Sequence, residues 1–221
     1  IYAVRVCGST VKRKINIKAR MKHCKLRFCA LRQRRAYQKQ LDHEFARLGQ
    51  FAEKDSVLIC AHPDDESLFF YDALKRNPSI LVICLSGGSN TVRNAEFHSA
   101  MQALGADALI FDLPDSGAIS YRWKRGKIIW IAERIKKAID PETIYTHNAS
   151  GEYGHPHHQA VNRAVSETFH DRVIIVPEQP CRTVCAWKAE KLAFFKTYYP
   201  TQKVSEWFPQ YLDFEGLQRQ S

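Results

Sequence analysis

Val57-Leu58-Ile59-Cys60-Ala61-His62-Pro63-Asp64-Asp65-Glu66-Ser67 opens with four apolar residues, the pattern of a strand buried on both faces. A polar loop follows, with one imidazole and three carboxylates in five positions. Carboxylates packed that closely repel one another, and a folded chain retains them most readily where a cation or a shared proton relieves the repulsion. A metal ion is the simplest such cation. The plainer reading is an acidic turn whose side chains are solvated and favour the first turn of a helix through its dipole. A second loop weighs against it. Tyr153-Gly154-His155-Pro156-His157-His158 supplies three more imidazoles, again between a strand pattern and a helix pattern. On neighbouring parallel strands the two loops would meet outside the carboxyl ends of the sheet, where open α/β folds bind ligands.

Outward from that stretch, strand and helix patterns alternate. Val57 to Cys60 predicts the first strand and Glu66 to Lys75 a helix. Ile80 to Leu85 predicts a second strand, apolar throughout as a doubly covered strand should be. After the loop Ser86-Gly87-Gly88-Ser89-Asn90, Val92 to Leu104 predicts a helix that Gly105 ends. Ala108 to Leu113 predicts the third strand, Ile128 to Ile139 a helix, and Thr143 to Thr146 the fourth strand. His157 to Phe169 predicts a helix, Arg172 to Val176 a fifth strand, and Glu190 to Tyr198 a last helix. Strands spaced by helices imply right-handed crossovers, so the fold class is α/β, a Rossmann-like, mostly parallel sheet with helices on both faces. The Gly87-Gly88 loop lacks the Gly-x-Gly-x-x-Gly spacing of a dinucleotide fingerprint and follows the wrong strand for one.

Ala61-His62-Pro63-Asp64-Asp65-Glu66, with His155-Pro156-His157-His158 far downstream, resembles the LmbE-like/PIG-L family of metal-dependent de-N-acetylases. Fainter similarities lie in Arg93-x-x-Glu96, Leu113-Pro114-Asp115, Thr146-His147-Asn148 and Lys191 through Gln202; together they span roughly residues 55 to 205, in the family's order. The resemblance implies the same α/β fold and a hydrolase acting on an N-acetylglucosamine-type amide.

The 221 residues suffice for one sizeable core and not comfortably two. Hydrophobic content of 45% and charged content of 25% are ordinary for a globular domain. The formal charge of +10 is unevenly placed: residues 1–50 carry 14 Lys or Arg against Asp42 and Glu44, whereas the other residues carry 19 against 21 acids. The expected organisation is a basic extension over 1–50, helical or disordered, and a deacetylase domain over 51–221. Within the extension, Leu31, Ala36, Leu41, Phe45 and Leu48 are loosely helical in spacing. A basic amphipathic arm suits an anionic membrane surface at its periphery; aromatic interleaving is sparse and no nucleic-acid motif is legible. Seven cysteines cannot all pair within one chain, and Cys60 and Cys84 sit in apolar strands as small hydrophobes, while Cys24/Cys29 and Cys181/Cys185 lack convincing local metal partners. A reducing cytoplasm is the expected compartment. No apolar window is long enough to cross a membrane. The chain opens on Ile rather than Met, so a fragment or a processed product is expected.

A hydrolytic metal needs about three protein ligands and an open position. His62 and Asp65, three residues apart where a loop opens a helix, can turn to one point. His158 is the third candidate, because Val161, Val165 and Thr168 follow it on one helical face. The resemblance implies the same three ligands, with zinc the usual metal and Fe2+ or another divalent ion as alternatives. It also suggests Asp64 as general base, His155 as the group that binds the oxyanion or protonates the amine, and Tyr153 as a substrate contact. Arg93 would suit a substrate hydroxyl or phosphate, or an ion pair with Asp64 or Glu66. Glu66 reads as a helix-start or supporting residue, and His98, His147 and His157 have weaker claims. Many relatives carry His-Pro-Asp-His, where the aspartate can orient the first histidine; here His157 stands in that place, and an imidazole cannot do a carboxylate's work. The expected partner is an N-acetylated amino sugar, lipid- or phosphate-linked. Competing classes are a non-haem iron oxygenase, which shares a two-His, one-carboxylate set, and an inactive scaffold docked through its basic arm.

Overall fold

The computed structural model describes residues 38–115, 123–177, 186–213 and 216–220. The basic arm as far as residue 37, Cys24/Cys29 and Cys181/Cys185 lie outside the described residues. The chain divides into two compact units, Ile1–Gln38 and Lys39–Ser221, and the α/β fold occupies the second. That unit begins with a helix, α1, over residues 39–48, whose Leu41, Phe45 and Leu48 are buried. Phe45 packs on Phe111 and meets Trp130 edge-on, at 5.1 and 5.2 Å between ring centroids. The outward positions Lys39, Asp42 and His43 mix both signs of charge, while the apolar stripe belongs to the core.

Among the described residues six strands form one sheet in the order β3-β2-β1-β4-β5-β6. They are β1 (Ser56–Cys60), β2 (Leu81–Ser86), β3 (Ala108–Leu113), β4 (Thr143–Thr146), β5 (Val173–Ile175) and β6 (Gln218–Arg219). The first five are parallel and β6 runs antiparallel along β5. The mostly parallel α/β fold expected from the alternating pattern is the one present. The register sets Ile59 of β1 beside Ile83 on one side and Thr146 on the other.

The intervening helices are α2 (Asp65–Phe69), α3 (Tyr71–Arg76), α4 (Thr91–Leu104), α5 (Arg125–Ile139), α6 (Pro156–Phe169), α7 (Lys188–Tyr198), α8 (Val204–Trp207) and α9 (Pro209–Asp213). Along β1 to β3, Leu58, Cys60, Val82, Cys84 and Ile110 join a core with Leu74, Phe97, Met101 and Phe195 of α3, α4 and α7. The alternate residues Val57, Ile59, Ile83, Leu109 and Phe111 are equally buried on the opposite face, as the period of two requires of a sheet covered on both sides. Among the described residues no helix is long and apolar enough to cross a membrane.

One helix differs from expectation. The segment after β1 breaks at Phe70, whose φ is −130°, so α2 and α3 replace a single helix. Phe69, Phe70 and Tyr71 are all buried. The break at Phe70 falls in the middle of these three, and all of them join the core of α4 and α7. The short elements α8, α9 and β6 carry no periodicity long enough to have been expected.

Strand order reverses at β1: one crossover leads from it to β2 and β3, and the other neighbour is β4. The carboxyl ends of β1 and β4 therefore flank the crevice where doubly wound sheets hold their ligands.

Candidate metal centre

The loop leaving β1 is folded around its own carboxylates. Asp65 Oδ2 accepts the His62 amide at 2.8 Å, and Glu66 accepts the Asp64 amide at 3.0 Å. Asp64 sits at φ 112°, a left-handed conformation that costs on the order of 1–3 kcal/mol in a non-glycine residue and persists only where surroundings over-determine it. The surroundings are tight. Gly87 approaches from the end of β2 so closely that a Cβ on it would stand 2.8 Å from Pro63 Cγ, and its φ of +90° suits glycine. The glycine-rich loop thus serves backbone approach, consistent with the missing nucleotide fingerprint.

The loop leaving β4 carries Thr146-His147-Asn148 and returns through Gly151 to Pro156 at the first turn of α6. Gly151 has φ +73°, and a Cβ there would stand 2.6 Å from the carbonyl oxygen of His155. Glu152 is the centre of this loop. Its Oε2 lies 2.6 Å from His158 Nδ1 and 3.1 Å from His147 Nδ1, and its Oε1 accepts the Asn148 amide at 2.9 Å. Burial opposes the charge, but His147 and His158 draw Glu152 down to about 2. The two imidazoles stack at 3.8 Å with 15° between planes.

His147 joins the two loops, because its Nε2 faces the Ala61 amide at 3.0 Å. Burial disfavours its charge, yet Glu152 and Asp65 would lift its pKa to about 10. An amide N–H aimed at Nε2 needs a lone pair there, so the hydrogen bonding assigns a neutral ring with its proton on Nδ1, directed at Glu152.

The three expected ligands converge from residues 96 positions apart. His62 Nδ1, Asp65 Oδ2 and His158 Nε2 form a near-equilateral triangle with sides of 3.2, 3.3 and 3.3 Å. A tetrahedral ion bound at about 2.0–2.1 Å would space its ligand atoms by about 3.3–3.4 Å. The proton inventory points the same way. His158 Nδ1 must be an N–H to bond Glu152 at 2.6 Å, which leaves the lone pair of Nε2 facing a buried carboxylate oxygen. Burial alone would raise Asp65, but His158 and His62 hold it well below the usual carboxylate range. Buried lone pairs turned on one another without a proton between them call for a cation, and the donor set of two imidazoles and a carboxylate fits a divalent metal. Each ligand ring also has an outer partner, Glu152 for His158 and His157 for His62 at 2.9 Å.

The remaining expected residues lie around this triangle. Burial, with Asp65 and Glu66 adding to it, lifts Asp64 to about 8 against the pull of Arg93. Arg93 donates to the Pro63 carbonyl and stands 3.3 Å from Asp64 Oδ1, so its guanidinium is engaged with the loop rather than directed outward. His155 caps α6, its Nδ1 accepting the His157 amide at 3.3 Å. Burial, then His62 and His158, lower it to about 3, so the ring is neutral and carries its proton on Nε2. Tyr153 is 42% exposed, with its ring 4.6 Å from Phe208, 5.3 Å from His158 and 5.7 Å from His155. Glu66 is fully buried, accepting from Tyr199 Oη at 2.5 Å and Ser67 Oγ at 2.7 Å.

Residues 57–169 match the PIG-L family, described as GlcNAc-PI de-N-acetylase. An uncharacterised protein of Acanthamoeba polyphaga mimivirus is 30% identical over 49% of this chain and 55% of its own length. The N-acetylglucosaminyl-phosphatidylinositol de-N-acetylase of Bos taurus is 26% identical over 50% of this chain and 48% of its own. The chain therefore aligns with about half the length of these curated relatives. Among solved structures, the pseudoaglycone deacetylase Dbv21 shares the fold with a TM-score of 0.51 at 16% identity, covering 71% of this chain and 86% of that one. With just over half of its length matched and both signature loops inside the match, this chain belongs to the PIG-L family, that of the GlcNAc-PI de-N-acetylases.

Proposed function

We propose that the chain is a metal-dependent hydrolase that removes the acetyl group from an N-acetylglucosamine-type conjugate, with zinc held by His62, Asp65 and His158. The observation that carries this reading is the triangle of three buried lone-pair donors with the Asp64 carboxylate two residues from His62 and one from Asp65. A divalent ion bound there supplies Lewis acidity to a carbonyl oxygen and makes water a better nucleophile.

Asp64, adjacent to the ligand Asp65 and paired with Arg93, is the proposed general base. It accepts a proton as the water oxygen bonds to the carbonyl carbon. The neutral Nε2–H of His155 suits a hydrogen bond to the oxygen that gains charge. When the C–N bond breaks, the amine needs a proton, and Asp64 already holds one. The products are acetate and the free amino sugar. Because His155 is not an imidazolium in this setting, proton return through Asp64 is favoured over donation from His155. Tyr153 is proposed to contact the sugar at the rim, while Arg93 is proposed to act through Asp64. A lipid- or phosphate-linked sugar agrees with the substrate in the name of the Bos taurus relative and with a basic extension suited to a peripheral membrane.

The test is metal analysis with acetate release from a panel of N-acetylglucosamine conjugates that includes the phosphatidylinositol-linked one. Bound zinc and acetate release that Asp64→Asn abolishes are expected. A chain that holds a divalent ion and releases no acetate from any conjugate refutes the reading, and a product that needs dioxygen would point to the iron-oxygenase class.

A further inference from the structure

We infer that His157, clamped face to face on Trp123, is a positioning residue that fixes the tautomer and orientation of the metal ligand His62. The inference rests on the metal-hydrolase reading and adds to it two residues that the ligand set does not contain.

His62 has two ring nitrogens and both are committed. Nδ1 points at the ligand triangle, 3.2 Å from Asp65 Oδ2, and Nε2 lies 2.9 Å from His157 Nδ1. A neutral ring that offers the lone pair of Nδ1 to a cation must carry its proton on Nε2. Nε2–H therefore donates and His157 Nδ1 accepts. His157 is not free to leave that position. Its ring lies parallel to the Trp123 indole, 4.0 Å away with 7° between planes, and both residues are buried. The indole is fixed in turn by its Nε1–H, which donates to the Pro114 carbonyl at 2.8 Å, just beyond β3. A continuous set of contacts thus runs from the end of β3 through Trp123 and His157 to a ligand atom. The aspartate that relatives carry at this position was expected to serve the first histidine of the motif. Here the His157 ring stands at 69° to that of His155, and its Nδ1 is the atom that faces His62. An uncharged acceptor also leaves the centre with one negative charge fewer than a carboxylate would. Its job is to set direction and tautomer more than to add basicity.

Two substitutions separate the acceptor from the stack. His157→Phe keeps a ring against Trp123 and removes the acceptor, whereas His157→Asn removes the ring and keeps an oxygen near the place of Nδ1. Co2+ binding to the full chain, followed by its visible absorption and chelator competition, is expected to weaken about 10–100-fold in His157→Phe and to stay within about threefold in His157→Asn. Native affinity in His157→Phe, or equal loss in both variants, overturns the inference and makes His157 a packing residue. A second equivalent of Co2+ in the native chain also overturns it, in favour of an ion shared by His62, His155 and His157, whose donor atoms lie within 4.8 Å of one another. Should either variant fail to fold, ring 1H–15N correlations of the native, metal-loaded protein decide: His62 must be protonated on Nε2, and the opposite tautomer refutes the role. A native chain that binds no Co2+ would instead sink the hydrolase reading itself.

Discussion

Two glutamates, Glu66 and Glu152, have fully buried side chains, and each holds together one of the two loops that make the centre. Their partners separate them. Glu66 accepts from a phenol, a hydroxyl and an amide, and burial raises its pKa. Glu152 accepts from two imidazoles, which pull its pKa down to about 2. The same residue type at the same depth is a brace in one loop and an outer partner of a candidate metal ligand in the other. Burial alone therefore does not mark a functional carboxylate; the identity of its donors does.

The comparison first requires a metal to be present, and removing it gives the largest effect. His158→Ala is expected to abolish retention of zinc through gel filtration and to lower deacetylation by on the order of 10⁴-fold or more. Retained metal in that variant would mean that Glu152 supports an empty function. Asp64→Asn comes next, with a fall of about 10²–10⁴-fold in kcat and zinc content unchanged. An equal loss of zinc would assign Asp64 to the ligand set instead.

Glu152→Gln breaks the asymmetry directly. The amide oxygen can take the place of Oε2 toward His158 and His147, but it carries no charge, and the NH2 then meets the Asn148 amide that Oε1 accepts in the native chain. Zinc affinity is expected to fall about 10–100-fold, with the chain still folded at 25 °C. An unchanged affinity in chelator competition would reduce Glu152 to the status of Glu66.

Much of this was legible in the sequence. The strands beginning at Ser56, Leu81 and Ala108 are apolar, so their burial followed from composition and their parallel pairing from the alternation with helices, and His62, Asp65 and His158, the candidates offered by two short motifs, lie together. The supporting shell was not. His147, His157 and Trp123 reach the centre only because β1 and β4 are neighbours and because Trp123 packs on His157 of α6, contacts that no local periodicity encodes. Glu152 had one local signal, an acid at the turn before a histidine-rich helix start. Its φ of 58°, which turns the side chain inward, depends on the Asn148 and Gly151 contacts around it. The break at Phe70 was hidden for a related reason: helix propensity favours continuity, and the burial of the three aromatics around it is a property of the assembled core.

The smallest expected effect tests the other half of the comparison. Tyr199→Phe removes one of the donors to Glu66 without leaving a cavity, since only the hydroxyl is lost. A buried carboxylate deprived of one hydrogen bond costs about 1–3 kcal/mol, measurable by urea denaturation. Ser67 and the Asp64 amide still hold the carboxylate, so the loop should keep its course and zinc affinity should stay within about threefold of native. If Tyr199→Phe weakened zinc as much as Glu152→Gln does, the strain at Asp64 would have to be sensitive to Glu66, and the β1 loop would be coupled to the metal by backbone geometry rather than by side-chain donors alone.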